Sequence, residues 1–330
     1  MSLTKGKVLR FVISFAAIGL IVFFMRGKLQ ESMAILRHEV VWGWFVVASV
    51  GYLIGLAIIA VRLQCVFRVQ DIHMTFGECY HLGFVGLFYN LMLPSAVGGD
   101  VVKAVYAYKH SGKKIESATS VLLDRLLGFL ATILMAVIGL MYFSKEVESS
   151  YVDYAVYGAL AMIVFFITFF ASRRFARLFK GFAHFIPKEK WRMRLAEIYH
   201  AIYGYRHHRG PVLVAVLLSF AGQAIFISTN YWLALSIGAT IDYWKFFILI
   251  PVISIVSMAP SIGGLGVREA SVLYLFGRYL PPERALALTL LMDLQLYAFS
   301  IGAGIWYAFR GGLEKKELDS EMEMMQSPKE

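Results

Sequence analysis

The feature that most constrains this chain is a series of apolar runs close to bilayer-spanning length, broken twice by the same glycine-rich motif. A helix needs about 20 apolar residues to cross the hydrocarbon core. Runs of that order are centred on residues 8–25, 41–61, 117–143, 154–171, 211–237 and 285–309. The chain of 330 residues is 59% hydrophobic and 16% charged, against about 25% charged in an ordinary soluble domain. These runs predict an all-α, polytopic integral membrane protein with six full spans.

Two further apolar stretches are too short to span, and each ends in a break. Residues 80–93 run into PSAVGGDVVK at 94–103, and residues 243–258 run into PSIGGLGVR at 260–268. Each is expected to form a re-entrant broken-helix hairpin. Lysines and arginines favour the cytoplasmic side, which places the amino end, residues 103–114 and the basic segment 172–210 there, with 144–153 outside. Threaded so, the first hairpin enters from the cytoplasm and the second from outside, an inverted-repeat-like arrangement. Both termini are then cytoplasmic, and the protein sits in the cytoplasmic (plasma or inner) membrane.

One transmembrane domain is expected over 1–310, with halves 41–143 and 211–309 joined by the linker 172–210. In that linker Phe175, Leu178, Phe179 and Phe182 recur at helical spacing, which suits either an amphipathic surface helix or a solvated linker helix. The tail 311–330 is charged and expected to be disordered. Residues 26–39 read as an interfacial helix, and Pro281–Arg284 as a turn.

Charge placement supplies the candidate site. The formal net charge of +10 lies mostly in loops, where it sets topology rather than calling for nucleic acid. Irregular backbone at membrane depth must be buried in protein or line a wet cavity, and paired interrupted segments point to a transport site. Helices are expected to start near Val101 and Val267, presenting backbone N–H groups and positive dipole to an anion. Lys103 and Arg268 add charge there. Asp100 suits an N-cap as well as a ligand contact, Glu269 equally suits complementing a helix dipole, and the glycines equally suit close helix packing.

In the third long run Asp124 and Arg125 are adjacent, so they point about 100° apart and cannot simply neutralise each other. Arg125 is expected to reach Asp100 or a substrate phosphate, and Asp124 to meet Lys103 or Arg268, with a purely structural ion pair as the other reading. Asp293 either lines the same cavity or bonds a neighbouring helix. Gln223, Ser228, Thr229, Asn230 and Gln295 are candidates for bonds between helices. No metalloprotease, nucleophile-elbow, P-loop or dinucleotide-binding motif occurs, and two cysteines, Cys65 and Cys79, are too few for a disulfide framework. No catalytic residue, cofactor or metal is expected.

The stretch GGDVVKAVYAYKHSGKKIESATSVLLDRLLGF, followed downstream by PSIGGLGVREASVLYLF, resembles the lysylphosphatidylglycerol synthase transmembrane-region family, also called flippase-like domain proteins, over residues 8–310. The resemblance implies a flippase or scramblase for a phospholipid or lipid-linked head group, as a stand-alone member without the aminoacyl-transfer domain. It implies cavity roles for Gly98, Gly99, Asp100, Lys103, Asp124, Arg125, Gly263, Gly264, Gly266, Arg268 and Glu269. Lys103 stands where arginine is common in that family, and Asp124 where glutamate is common. The expected ligand is a membrane phospholipid with an anionic or phosphate-bearing head group, held at two facing helix starts, with a homo-oligomer or a separate lipid-modifying enzyme as partner and no nucleic acid. The alternatives are a membrane enzyme acting on a lipid-linked substrate and a small-anion or proton-coupled solute carrier.

Overall fold

Hydrocarbon offers no partner for backbone N–H and C=O groups, so an apolar chain in it must satisfy them within helices. The computed structural model describes residues 19, 23, 27–92, 98–143, 204–205, 208–257 and 265–309, and among them it is all-helical. The elements are α1 (Leu29–His38), α2 (Trp42–Val69), α3 (Phe76–Met92), α4 (Gly98–Ser111), α5 (Lys114–Phe143), α6 (Arg209–Ser236), a 3₁₀ turn (Tyr243–Lys245), α7 (Phe246–Val256), α8 (Val267–Phe276) and α9 (Pro282–Phe309). Among the described residues four helices, α2, α5, α6 and α9, are long and apolar enough to cross a membrane. The expected spans at 8–25 and 154–171, most of the linker and the tail lie outside the described residues.

Three boundaries differ from expectation. Helix α2 runs to Val69 rather than ending at 61, which takes Arg62 inside it. Helix α4 begins at Gly98 rather than near Val101, so Asp100 stands in the first turn and is not an N-cap. Helix α9 begins at Pro282, so most of the expected turn is its first turn. Proline suits a first helical position because its φ is preset and its missing N–H would have had no helical partner.

The chain divides into two compact units. The first contains Met1–Leu56, Phe84–Gly99 and Gly222–Arg310; the second contains Ala57–Gly83, Asp100–Ala221 and Gly311–Glu330.

In the first unit small residues let helices touch. A Cβ on Gly51 would lie 2.4 Å from the Trp232 ring, and one on Gly55 would lie 2.9 Å from the Phe226 ring. The two glycines are four residues apart, hence on one face of α2, the small-xxx-small pattern of membrane helix pairs. Tyr52 between them stacks on Phe299 at 5.0 Å. Side chains of Val46, Val50 and Ile54 on α2, and of Leu294, Ile301 and Ile305 on α9, are exposed. Such apolar exposure suits lipid and not water. At one end of this unit Arg284 donates to the Ile237 carbonyl and pairs with Glu39 at 2.9 Å, and Ser32 Oγ donates to the Glu283 carbonyl. Lys245 lies 4.9 Å from the Tyr279 ring and Phe246 5.2 Å from Phe276, so the start of the α7 segment meets the end of α8.

The second unit has its core around Leu63, Phe67, Ile72, Cys79, Leu82, Ala104 and Ala107. Helix α3 opens with a capping box: Thr75 N–H donates to Glu78 Oε2 at 2.6 Å and Glu78 N–H donates to Thr75 Oγ1 at 3.3 Å. The chain before α3 meets the end of α4, where a His110 ring nitrogen is 3.0 Å from the His73 carbonyl. Lys113 donates to the Gln70 carbonyl at 3.0 Å. Tyr205, in the expected linker, is buried against the Ser120 hydroxyl at 2.8 Å.

Candidate functional site

The first break ends in a glycine that a larger residue could not replace without movement. An added Cβ on Gly99 would stand 2.2 Å from the Gly86 carbonyl oxygen of α3. This close approach lets Gly99 N–H donate to Asn90 Oδ1 at 2.9 Å. Asn90 thus serves the start of α4 from the end of α3, a role expected of Asp100. Gly98 and Gly99 are both buried.

Asp100, one residue on, gathers two cations in the second unit. Its Oδ2 accepts from Arg125 Nη1 of α5, and its Oδ1 lies 3.4 Å from Lys103 Nζ. Their side chains keep only 14–20% of their surface exposed. Arg125 also lies over the Phe129 ring, 5.0 Å from its centroid. Among the described residues, one carboxylate faces two cations, which leaves a surplus positive charge.

Asp124 takes a different partner from either expected one. Arg62 Nε donates to Asp124 Oδ1 at 2.7 Å and Nη2 donates to Oδ2 at 2.9 Å, while Nη1 donates to Ser219 Oγ at 3.2 Å. The pair is therefore bidentate and joins α2, α5 and α6. Gly128 leaves room for the guanidinium; a Cβ there would sit 3.3 Å from Arg62 Nη1. Arg62 stands just beyond the expected span 41–61, so the apolar run alone does not place it inside the helix. The adjacency of Asp124 and Arg125, which forbids their mutual pairing, was the available sign that two further partners were needed.

The second break is described from Leu265 onward, so Gly263 and Gly264 lie outside the described residues. Gly266 has φ of +82°, a left-handed conformation that favours glycine, and α8 starts immediately after it, as expected. Its N–H donates to Glu269 Oε2 at 2.5 Å. Glu269 Oε1 accepts from Arg268 Nη2 at 3.0 Å, and the same nitrogen donates to Asp293 Oδ1 of α9. Here two carboxylates face one cation. Gln295 bonds Ser49 at 3.4 Å, and Ser228 bonds the Tyr243 hydroxyl at 2.7 Å, both contacts between elements. Asn230 donates back to the Phe226 carbonyl and Thr229 to the Ile225 carbonyl within α6.

The two constellations share one sequence interval with the signs exchanged. Asp100 pairs with Arg125 and Arg268 with Asp293, each 25 residues apart. The described N–H groups of Gly99 and Gly266 are already taken by side chains of this chain. The positive surplus on the side chains, rather than those two backbone groups, is what an anion would meet.

Comparison with known proteins agrees with these motifs. The profile of the family described as "Lysylphosphatidylglycerol synthase TM region" matches residues 7–304. No curated protein sequence matches the chain. With four span candidates and a match over most of its length, this integral membrane protein belongs to the lysylphosphatidylglycerol synthase transmembrane-region family.

Proposed function

We propose that this chain moves a phospholipid or lipid-linked head group between leaflets, acting as a flippase or scramblase and not as an enzyme. The observation that carries the reading is the Asp100 cluster, where Lys103 and Arg125 share one carboxylate inside an apolar helical region. Ionisable groups in such surroundings are costly and mark transport paths. A head-group phosphate supplies the second negative charge that the two cations lack. Arg125 would bind it in a planar, two-point geometry, and Lys103 as a point charge.

The hairpins fit the same reading. Helices α3 and α4 start and end beside each other, as do α7 and α8, and all four are shorter than the span candidates. We read both pairs as re-entrant, the first entering from the cytoplasm and the second from outside, with both termini cytoplasmic. The acyl tails would stay in the bilayer. An open apolar groove of about 330 Å³ between Phe84, Phe299, Gly302 and Trp306 offers them a surface.

The test is leaflet exchange in proteoliposomes containing labelled phospholipids of different head groups. Wild type is expected to exchange a phosphate-bearing lipid. Arg125→Gln is expected to slow exchange by roughly tenfold or more, since a hydrogen bond to a charged group contributes about 1.5–3 kcal/mol. Folded protein that exchanges no lipid, or exchange indifferent to both Arg125→Gln and Lys103→Ala, would refute the reading.

A further inference from the structure

We infer that the Arg268–Glu269–Asp293 triad is a proton-binding site, in which a single proton resides on Asp293. Both carboxylates lie on one guanidinium nitrogen, and the three side chains keep 10–19% of their surface exposed. Two carboxylates against one guanidinium leave one negative charge in an apolar region. An uncompensated buried charge is strongly unfavourable. One proton on one carboxyl removes it.

Hydrogen bonding decides which carboxyl takes the proton. Glu269 accepts from the Gly266 N–H through Oε2 and from Arg268 through Oε1, so each of its oxygens already holds a donor. Asp293, among the described residues, accepts only from Arg268 and only through Oδ1, which leaves Oδ2 to carry the proton. The step is Asp293 carboxylate plus a proton giving the neutral carboxylic acid.

The other titratable groups about the triad are Tyr297 on α9, with Arg268 5.9 Å from its ring centroid, and Tyr52 on α2. Helix α7, packed on α8, carries no titratable side chain. Among the described residues no further cation pairs with either carboxylate of the triad. Loss of the proton would leave two carboxylates, one on α8 and one on α9, repelling each other across one guanidinium nitrogen. Use of that change in a transport cycle rests on the lipid-transport reading; the proton site does not.

The experiment is infrared difference spectroscopy of the purified full-length protein in detergent, stepped between acid and alkaline pH. Wild type is expected to show the C=O band of a protonated carboxyl that disappears on deprotonation. Asp293→Asn and Glu269→Gln each leave one carboxylate against one guanidinium, so each is expected to abolish that band. Asp124→Asn, whose partner Arg62 is elsewhere, is expected to retain it. A spectrum without the band, or one in which it survives both triad variants, overturns the inference. If one triad variant fails to fold, the other gives the answer. A protein that moves no lipid would still show the band, so the two readings fail separately.

Discussion

At the residue scale the ion pairs fall into two kinds, and substitution should separate them. The Arg62–Asp124 pair is bidentate, closed by Ser219, and only 6% exposed on each side chain. Its groups have little capacity left for a ligand. Removing one partner from such a pair costs about 3–5 kcal/mol because a charge is left buried. Asp124→Asn is therefore expected to lower the thermal unfolding temperature sharply, and Arg62→Met with Asp124→Leu to recover most of the loss. If the double replacement is no better than the single one, the pair is not an isolated structural lock. Lys103 and Arg125 share their single carboxylate, so Lys103→Ala should leave the unfolding temperature nearly unchanged while lowering lipid exchange.

At the element scale, glycine contacts and caps set where helices meet and begin. Gly99→Ala would drive a methyl group against the Gly86 carbonyl, a backbone atom that cannot swing aside. It should destabilise the protein by more than Gly128→Ala, whose nearest neighbour is the Arg62 side chain. Differential scanning fluorimetry of both variants checks the order. At the start of α3, hydrogen bonds from the Thr75 backbone and hydroxyl hold the Glu78 carboxyl below its usual range. A depressed folded-state value means stabilisation that is present above the unfolded value and lost as pH falls through the folded one. The unfolding-temperature gap between wild type and Glu78→Ala should therefore be present at neutral pH and narrow below about pH 4. A gap that widens in acid would contradict the cap.

At the scale of the whole molecule the question is which side each helix end faces. In the topology proposed above, the α3 start and the α4 end would face the cytoplasm, and the α1 and α9 starts the outside. In a background lacking Cys65 and Cys79, Glu39→Cys is expected to react with an impermeant thiol reagent on intact cells. Asp71→Cys is expected to react only after permeabilisation. The reverse pattern would invert the topology and with it the opposite entry of the two hairpins.

What the sequence determines by itself is the solvent and the interruptions. Apolar run length requires a bilayer, the Gly-Gly stretches mark interruptions of the apolar runs, and the positions of Asp100, Arg125, Arg268 and Asp293 are visible as charges in apolar surroundings. These are local properties, readable within a few turns of chain. The partner of each charge is decided by which helix faces meet, and only the tertiary structure fixes that. The Arg125–Asp100 contact was within reach, because a helix hairpin returns the chain after 25 residues. The Arg62–Asp124 pair spans 62 residues and joins three helices, and no local pattern carries that information. Gly99 and Gly266 were legible as turns, but Asn90 and Glu269 occupy the donors expected to face a ligand. A hydrogen bond forms only where side-chain and backbone atoms converge in space, and packing alone brings them there.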